Sequence, residues 1–408
     1  MPALAERLDE LTQARTRANQ AFFSEQAEPI ARSCHRMAER FARGGRLVAF
    51  GATPVARSDA RHVAVEFVHP VIVGKRALPA IGLAAEGGDL IVQAGATCEP
   101  DDIAVAFGCD EAGPGAEVAR ATVAFARERG CLTIAFGPGS GAEWEFTPPS
   151  ELGSFIRQEL VETLYHLLWE LVHVFFDHRG LLEGREARQV HDPGASSFLY
   201  PFLSESQTDL ESIVSDVAAS ALLKAEEVGA LREQTLGDNR DVLMRAGVAL
   251  RASFEAGGRL LAFGNGGSAT DAMDVAADFR APLPDGRGEA RRALDLTEDT
   301  SIITAIANDV GIEAIFQRQV IAHGRAQDAA IALSTSGNSL NIIDALAEAR
   351  RREMVTIAIV GYDGGQIAEK ELADHVIVTR SQHIPRIQEA QASAYHVLRE
   401  LVEIDSTG

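Results

Sequence analysis

The sequence predicts an α/β protein with two tandem domains, each a parallel β-sheet flanked by helices in a three-layer, flavodoxin-like or Rossmann-like arrangement. Three observations predict this class. The chain has 408 residues and is 46% hydrophobic, which suffices for two ordinary cores. Its two halves repeat one another. In each half, short apolar runs alternate with amphipathic stretches, the pattern of a parallel sheet covered on both faces.

The repeat is visible in two pairs of segments. FARGGRLVAFGA (41–52) matches FEAGGRLLAFGN (254–265), and IRQELVETLYHLLWELV (156–172) aligns with RIQEAQASAYHVLRELV (386–402). The offset therefore grows from 213 residues (41 to 254) to 230 residues (156 to 386). The second copy must carry extra residues in its middle, many of them near TEDTSIITAIANDVGIEAIFQRQV.

A cluster of Gly, Pro and Ser between residues 183 and 201 separates the copies. Such a composition break is typical of a linker, so we expect a boundary near residue 195 and domains 1–195 and 196–408. Strands are expected at RLVAFGA, DDIAVAFG and CLTIAFGP in the first copy. In the second copy they are expected at RLLAFGN, RRALDLT, AAIALST, MVTIAIVG and DHVIVT. A long helical pattern precedes each copy and another closes it.

Charge and composition exclude several classes of protein. The net charge of −21, without a local basic patch, disfavours nucleic-acid binding. No apolar run reaches about 18 residues, so no membrane span is expected, and the first residues lack the pattern of a signal peptide. No two cysteines have CxxC spacing, which predicts reduced thiols in a cytoplasmic protein and no cysteine-based zinc site. The cysteines are Cys34, Cys98, Cys109 and Cys131.

The segment LSTSGNS (333–339) lies between a predicted strand and a predicted helix. Its hydroxyl side chains and the backbone N–H groups at a helix start can bind an anion. It contains no lysine, which disfavours a nucleotide P-loop and predicts a monophosphate on a small molecule, with no nucleotide cofactor. The alternative is a serine-rich turn and helix cap. The first copy has GCDEAGPGAEV (108–118) here, with carboxylates that repel phosphate.

Several motifs resemble, in order, those of phosphoheptose isomerases, which belong to the sugar isomerase (SIS) fold family. They are GNGGSATDAMDVAADF, IANDVGIEAIF, LSTSGNS, GYDGGQIA and PRIQEAQASAYH, spread over residues 205–404. The resemblance implies two tandem SIS-type domains, the first one divergent. It also implies aldose–ketose isomerisation of a phosphorylated sugar, sedoheptulose 7-phosphate to a heptose 7-phosphate, through an enediol.

The resemblance further implies a zinc ion held by a His, a Glu, a Gln and a second His. The first copy has all four residue types, whereas the second has Asp274 and Asp278 at the first two positions. A zinc ion is therefore expected in the first domain rather than the second. A His and a Glu four residues apart share one helix face, which suits a metal. The implied metal ligands are His62, Glu66, Gln158 and His166.

The family's acid/base pair is a Glu and the second His. It maps onto Asp278 and His396 in the second copy and onto Glu66 and His166 in the first. A carboxylate takes a proton from carbon while an acid protonates the developing oxyanion. The implied substrate-binding residues are Asn265, Gly266, Gly267, Ser268, Asn308, Asp309, Ser334, Thr335, Ser336, Ser339 and Gln388.

Gln388 and His396 raise a geometric problem, because eight residues of helix span about 12 Å. Either the Gln precedes the helix or the ligands come from two copies of the fold. We therefore expect a homo-oligomer with pairing SIS domains, and a composite site that combines the second copy's phosphate loop with acid/base groups of the first. The alternatives are a non-catalytic phosphosugar-binding or assembly protein, and an accessory protein of a maturation pathway. An amidotransferase-type isomerase ranks last.

Overall fold

The computed structural model describes residues 2–72, 75–84, 88–111, 113–177, 209–283, 286 and 288–404. The chain forms two compact units. It passes from one unit to the other at four points, three of which lie inside helices. The boundary near residue 195 lies outside the described residues and stays a prediction. Unit 1 comprises Met1–Ala18, Gly153–Glu159 and Val228–Gly408, and unit 2 comprises Asn19–Leu152 and Leu160–Glu227.

The helices and strands of the described residues alternate along each half of the chain, as the sequence predicts. The first half has α1 (Pro2–Ala42), β1 (Leu47–Phe50), α2 (Pro54–Val68), β2 (Ala80–Leu83), α3 (Leu90–Thr97), β3 (Ile103–Ala106), α4 (Pro114–Glu128), β4 (Leu132–Phe136), β5 (Trp144–Phe146) and α5 (Ser154–Asp177). The second half has α6 (Leu210–Asp238), α7 (Arg240–Glu255), β6 (Leu260–Gly264), α8 (Gly267–Arg280), β7 (Ala293–Asp295), α9 (Thr300–Asp309), α10 (Ile315–His323), β8 (Ala329–Ser334), α11 (Leu340–Arg351), β9 (Val355–Gly361), α12 (Gly365–Glu369), β10 (His375–Thr379) and α13 (Ile384–Leu401).

Each unit contains one five-stranded sheet, in the order β2-β1-β3-β4-β5 in unit 2 and β10-β9-β8-β6-β7 in unit 1. All pairs are parallel. With each copy numbered from its first strand, both sheets have the order 2-1-3-4-5, the flavodoxin-like order. The parallel sheets with flanking helices confirm the predicted fold class.

All eight predicted strands are present, but sequence reasoning missed β2 and β5. Both lie at the edges of the unit 2 sheet, and β2 is only partly buried along its length. β5 is three residues long with a Glu at its centre, and β2 is apolar but only four residues long and contains Gly82, so neither has the long β-branched run that marks a buried parallel strand. Neither strand carried a pattern strong enough to be recognised.

The extra residues of the second copy form additional helical structure between β7 and β8. Helices α9 and α10 lie there with a 3₁₀ turn (Ile312–Ala314) between them, whereas the described residues between β2 and β3 form only α3. This difference accounts for the growing offset of the repeat. No helix in the described part of the chain has the length and apolarity needed to cross a bilayer.

The connections after β6 and β8 lie at the reversal of strand order in unit 1. In an open parallel sheet, the carboxyl ends of the strands at such a reversal border a crevice in which ligands bind. Asn265 follows β6, and Ser334 is the last residue of β8. The topology therefore brings two predicted substrate-binding segments to one edge of the sheet.

Candidate functional site

The phosphate loop connects β8 to α11. Ser334 Oγ accepts a hydrogen bond from the Gly337 N–H at 3.1 Å, and Ser336 Oγ accepts one from the Asn338 N–H at 3.2 Å. Ser339 has extended backbone angles at the N-cap position of α11. Thr335, Ser336 and Ser339 are partly accessible, whereas Ser334 is buried. The serines thus shape the loop, and the first N–H groups of a helix such as α11 lack partners within the helix and can bind an anion.

Gly337 holds this loop against the residues that lead into α12. Its φ is +63°, and a Cβ there would lie 2.1 Å from the Gly364 carbonyl oxygen. The Gly337 carbonyl accepts from the Ile367 N–H at 3.1 Å, and the Asn338 Oδ1 accepts from the Gln366 N–H at 3.0 Å. Only glycine combines the positive φ with this close approach.

Asn265 is fixed by a second amide that sequence reasoning missed. The side chains of Asn265 and Asn341 exchange two hydrogen bonds of 2.9 Å. Asn341 is buried in the first turn of α11, and Gly266, with φ of +58°, caps α8. The pair joins the N-termini of α8 and α11, so Gly267 and Ser268 in the first turn of α8 lie beside the phosphate loop. An Asn at the start of the helix that follows the loop was the available sequence signal.

Asn308 and Asp309 lie elsewhere, at the end of α9. Both are exposed, and the Asn308 amide donates to the Asp309 carboxylate at 2.7 Å. Across the described residues, neither side chain forms a hydrogen bond with loop 334–339. Their predicted role in substrate binding stays a prediction.

Unit 1 brings the predicted acid/base pair together in its interior. Asp278 Oδ2, on α8, lies 3.5 Å from His396 Nε2, on α13. Both side chains are buried. Burial raises the pKa of Asp278 to about 8; Arg399 opposes this rise and the negative charge of Glu159 adds to it. At neutral pH the carboxyl group of Asp278 is therefore mostly protonated, and it faces the imidazole of His396.

On the opposite side, His396 contacts a second carboxylate that sequence reasoning missed. His396 Nδ1 lies 2.9 Å from Glu159 Oε1. Glu159 belongs by sequence to the first copy, at the position aligned with Glu389, yet it lies in unit 1. Its position directly after Gln158 in the aligned closing helix was the only signal. The imidazole of His396 thus lies between the carboxylate of Glu159 and the carboxyl group of Asp278.

Gln388 lies inside α13, four residues after its start, and is buried. The first solution to the spacing problem, a Gln ahead of the helix, is therefore wrong. Gln388 and His396 are on one continuous helix and about 12 Å apart along its axis. A metal ion shared by both would require the two side chains to extend toward each other along the helix.

Unit 2 has its own cluster of polar side chains. His62 on α2 and Glu162 and His166 on α5 have ligand atoms within 4.8 Å of one another, and all three residues are buried. Tyr165 Oη lies 2.9 Å from His62 Nδ1, which leaves His62 Nε2 for the cluster. Glu66 Oε1 is 3.9 Å from that nitrogen. Gln158, the fourth predicted ligand, lies in the segment assigned to unit 1.

The cluster fits a divalent metal such as zinc. Two imidazoles and one carboxylate form a known three-residue zinc set. Burial, with a smaller effect of His166, lowers the pKa of His62 well below its ordinary value, so the ring is neutral as a ligand must be. Glu162 was missed, although it precedes His166 by four residues, the same helix spacing that marked His62 and Glu66. Within the described residues, this is the only group of three or more such side chains that meets the distance criterion.

The phosphate loop's counterpart in unit 2 contains a carboxylate instead of hydroxyls. Glu111 Oε1 accepts a hydrogen bond of 2.7 Å from Thr53 Oγ1, at the N-cap of α2. A phosphate there would face this negative charge at close range. Unit 2 therefore combines a metal-type cluster with a loop unsuited to phosphate, whereas unit 1 combines a phosphate-type loop with an acid/base pair.

This chain has relatives among known proteins. A family model described as "SIS domain" matches residues 225–361. The phosphoheptose isomerase of Rhodospirillum rubrum is 41% identical over 175 residues, which is 41% of this chain and 88% of that protein. That of Nitratidesulfovibrio vulgaris is 36% identical over 198 residues, 47% of this chain and 90% of that protein.

Solved structures extend the likeness of fold over nearly the whole chain. Tagatose-6-phosphate ketose/aldose isomerase from Escherichia coli aligns with a TM-score of 0.55 at 13% identity, covering 97% of this chain and 91% of that one. The C-terminal domain of glucosamine-fructose-6-phosphate aminotransferase from Francisella tularensis aligns with a TM-score of 0.54 at 10% identity, covering 95% of each chain. With its tandem sheets and its close sequence relatives, this chain belongs to the phosphoheptose isomerase family of SIS-domain proteins.

Proposed function

We propose that the chain is a sugar-phosphate isomerase that interconverts a ketose and an aldose, with sedoheptulose 7-phosphate as the ketose. The observation that carries the proposal is the buried Asp278–His396 pair, whose atoms lie 3.5 Å apart. An isomerase of this kind needs a base for a proton on carbon and an acid for the neighbouring oxygen. Two adjacent groups sharing one proton supply both.

The reaction follows from the position of that proton. When it moves from Asp278 to His396, the pair becomes a carboxylate and an imidazolium. The carboxylate takes a proton from C1 of the ketose, the C–H electron pair forms the C1–C2 double bond, and the carbonyl oxygen on C2 receives the imidazolium proton. Asp278 then returns its proton to C2 of the enediol while His396 accepts the O1 hydroxyl proton. The product is the aldose, and both side chains recover their starting forms.

The phosphate of the substrate binds at loop 334–339. The starts of α8 and α11 meet there through the Asn265–Asn341 amide pair. Helix N-termini carry partial positive charge and unpaired N–H groups, which suit a dianion. Ser336 and Ser339 are partly accessible and can add hydroxyl donors. This binding accounts for selectivity toward phosphorylated sugars over free ones.

The loop and the acid/base pair are separated along α8. Asp278 lies eleven residues after Gly267, so the pair is about 16 Å from the helix end beside the loop. That distance exceeds the length of an extended seven-carbon sugar phosphate. We therefore propose that one copy of the protein binds the phosphate while another supplies Asp278 and His396, in a homo-oligomer.

A direct test follows the exchange of hydrogen. The protein is incubated with sedoheptulose 7-phosphate in D₂O, and deuterium at C1 and C2 and the aldose product are followed by NMR. Unphosphorylated sedoheptulose is the matched comparison. We expect exchange and product with the phosphate ester and at least a roughly 100-fold lower rate without it, since an oriented dianion provides several kcal/mol. Binding of the ester without exchange or product would instead indicate a non-catalytic phosphosugar-binding protein.

Substituting Gly337 should weaken substrate binding without removing the chemistry. In Gly337→Ala, the new Cβ would lie 2.1 Å from the Gly364 carbonyl oxygen, so the loop must move. We expect KM to rise roughly tenfold or more, with a smaller change in kcat. Gly257→Ala is the control, because Gly257 has φ of +78° but open space around its Cβ position. Equal KM values for the two variants would contradict the assigned phosphate site.

For unit 2 we propose a zinc site on His62, Glu162 and His166. Zinc there would act as a Lewis acid and would also hold α2 to α5. His166→Ala should lose bound zinc, measured by elemental analysis, and should no longer show a fall in Tm on addition of a chelator. Glu66→Gln is the comparison, because its oxygen lies outside the close group. Zinc loss in Glu66→Gln alone would favour the ligand set implied by the family.

A further inference from the structure

The strongest unexplained feature of unit 1 is the ionised carboxylate of Glu159, buried in the protein interior. Its side chain is almost fully inaccessible. It forms an ion pair with Arg15, whose Nη2 lies 2.9 Å from Glu159 Oε1, and Arg232 Nε lies 3.9 Å from Oε2. A buried charge is costly unless it is fully paired.

The close polar contacts of this carboxylate are with hydrogen-bond donors. Arg15 Nε approaches its two oxygens at 3.0 and 3.1 Å, Ser393 Oγ donates to Oε2 at 2.6 Å, and His396 Nδ1 lies 2.9 Å from Oε1. An ionised carboxylate can only accept hydrogen bonds, so the proton of the last contact must be on Nδ1. The carboxylate therefore fixes which ring nitrogen of His396 is protonated.

The other ring nitrogen then faces Asp278. With Nδ1 protonated, Nε2 faces Asp278 Oδ2 at 3.5 Å and can exchange the shared proton with it. The ring cannot easily rotate away, because Phe155 stacks on it with centroids 4.6 Å apart and planes inclined by 12°. A negative charge beside Nδ1 also stabilises the imidazolium formed when Asp278 gives up its proton.

We propose that Glu159 is a positioning residue that keeps the proton of His396 on Nδ1 and holds the ring with Nε2 facing Asp278. The proposal rests on the proposed isomerase function, since it assigns Glu159 a part in that reaction. Its logic is that of a carboxylate that orients a catalytic histidine from behind. The divergent first copy of the repeat would then take part in the reaction, because its closing helix contributes Glu159 to the acid/base centre of unit 1.

The first test measures the ring directly and needs no turnover. The protein is labelled with ¹⁵N-histidine, and the His396 signals are assigned by their loss in His396→Gln. Correlation of the ring nitrogens with the ring protons at neutral pH should show Nδ1 protonated in the wild type. In Glu159→Gln, a form with Nδ1 unprotonated should appear, because a neutral amide does not compel a donor. A wild-type ring protonated on Nε2 alone would overturn the proposal.

The second test measures catalysis by the full chain. Glu159→Gln should lower kcat roughly 100-fold or more with KM changed less than about twofold, since Glu159 does not touch the phosphate loop. Ser393→Ala is the comparison, because it removes a hydrogen bond from the same carboxylate without touching the ring, and its kcat loss should be far smaller. Equal losses in the two variants would indicate a purely structural carboxylate.

A failure to fold, or a failure of the proposed isomerase function, can be distinguished from a failure of the positioning role of Glu159. Glu159→Asp keeps the charge that Arg15 needs while withdrawing the carboxylate from Nδ1, so it should fold and still lower kcat. Unchanged kcat in a folded Glu159→Asp variant would overturn the positioning role. If the wild type shows no isomerase activity, the proposed function fails, but the ring-nitrogen measurement still decides whether Glu159 sets the protonation of His396.

Discussion

Replacing Asp278 with asparagine is expected to lower isomerisation at least about 1000-fold and, at the same time, to stabilise the protein in alkaline solution. Asparagine has nearly the same shape but cannot take a proton from carbon, so the enediol cannot form by the normal route. Substrate binding should change little, because asparagine has nearly the same shape and the phosphate loop is unaltered. The loss should appear in kcat.

The gain in stability follows from the raised pKa of the buried carboxyl group. Its pKa is about 8 in the folded protein, against an ordinary value of 3.8. Between these values the folded state holds a proton that the unfolded state has lost. The free energy of unfolding therefore falls as pH rises through this window, by up to about 1.4 kcal/mol per pH unit for one group. Below about pH 4 the group contributes no such difference.

The amide in Asp278→Asn does not titrate, so the variant should lose this part of the pH dependence. The measurement is Tm for both proteins between about pH 5 and about pH 9. The wild type should fall relative to Asp278→Asn as pH rises, with the variant the more stable above about pH 8. Glu159 is common to both proteins and cancels in the comparison. Parallel Tm curves, or unchanged turnover, would remove Asp278 from the proposed role.

The pH dependence of the wild-type rate should carry the same signature. Above about pH 8 the pair loses its shared proton, and the acid that protonates the substrate oxygen is gone. The value of kcat/KM should therefore fall above that pH with a slope approaching about −1 on a logarithmic plot. The fall in kcat/KM and the Tm difference between the two proteins both report the titration of Asp278. The pH midpoints of the two curves should therefore agree.

The sequence predicts features that depend on neighbouring residues better than contacts between residues that are far apart in the chain. Strand–helix alternation and the repeat predicted the two parallel sheets, since buried central strands such as β6 and β8 carry long apolar runs. The edge strands β2 and β5 were not predicted from the sequence, because little of their surface is buried. The Asp278–His396 pair was predicted from matched motifs; its atoms lie 3.5 Å apart, and its role in acid/base chemistry stays a prediction.

The partners of these residues were not predictable in the same way. Glu159 and His396 are 237 residues apart in sequence, and nothing in either local segment points to the other. Asn341 and Asn265 are likewise far apart, and each alone suggests only a cap or a turn. Glu162 was predictable from its helix spacing to His166, but the family pattern implies Glu66 and Gln158 as ligands instead. Contacts between single polar side chains that are far apart in sequence can be recognised only when the fold is known.

Mixing two inactive variants should restore activity if the phosphate loop and the acid/base pair of one site come from different copies. One chain carries Gly337→Asp, which puts a negative charge and a strained φ of +63° into the phosphate loop. The other carries Asp278→Asn. Each homo-oligomer should be inactive. With two different affinity tags, the mixed dimer can be purified after co-expression.

In that mixed dimer, one site combines the intact loop of the Asp278→Asn chain with the intact pair of the Gly337→Asp chain. The other site has both defects. Since a two-fold dimer has two equivalent sites, about half of the wild-type activity is expected. The reciprocal control is a mixed dimer of wild type with a chain that carries both substitutions. Each of its sites has one defect, so it should be inactive.

Sites contained within single chains give the opposite pair of results. The dimer of single variants would then be inactive, and the dimer of wild type with the double variant would have about half of the wild-type activity. The two preparations contain the same substitutions in equal number, so differences in folding or expression cannot mimic the outcome. Activity that appears only with the single variants on separate chains would mean that the roughly 16 Å along α8 is bridged by a second copy of the protein.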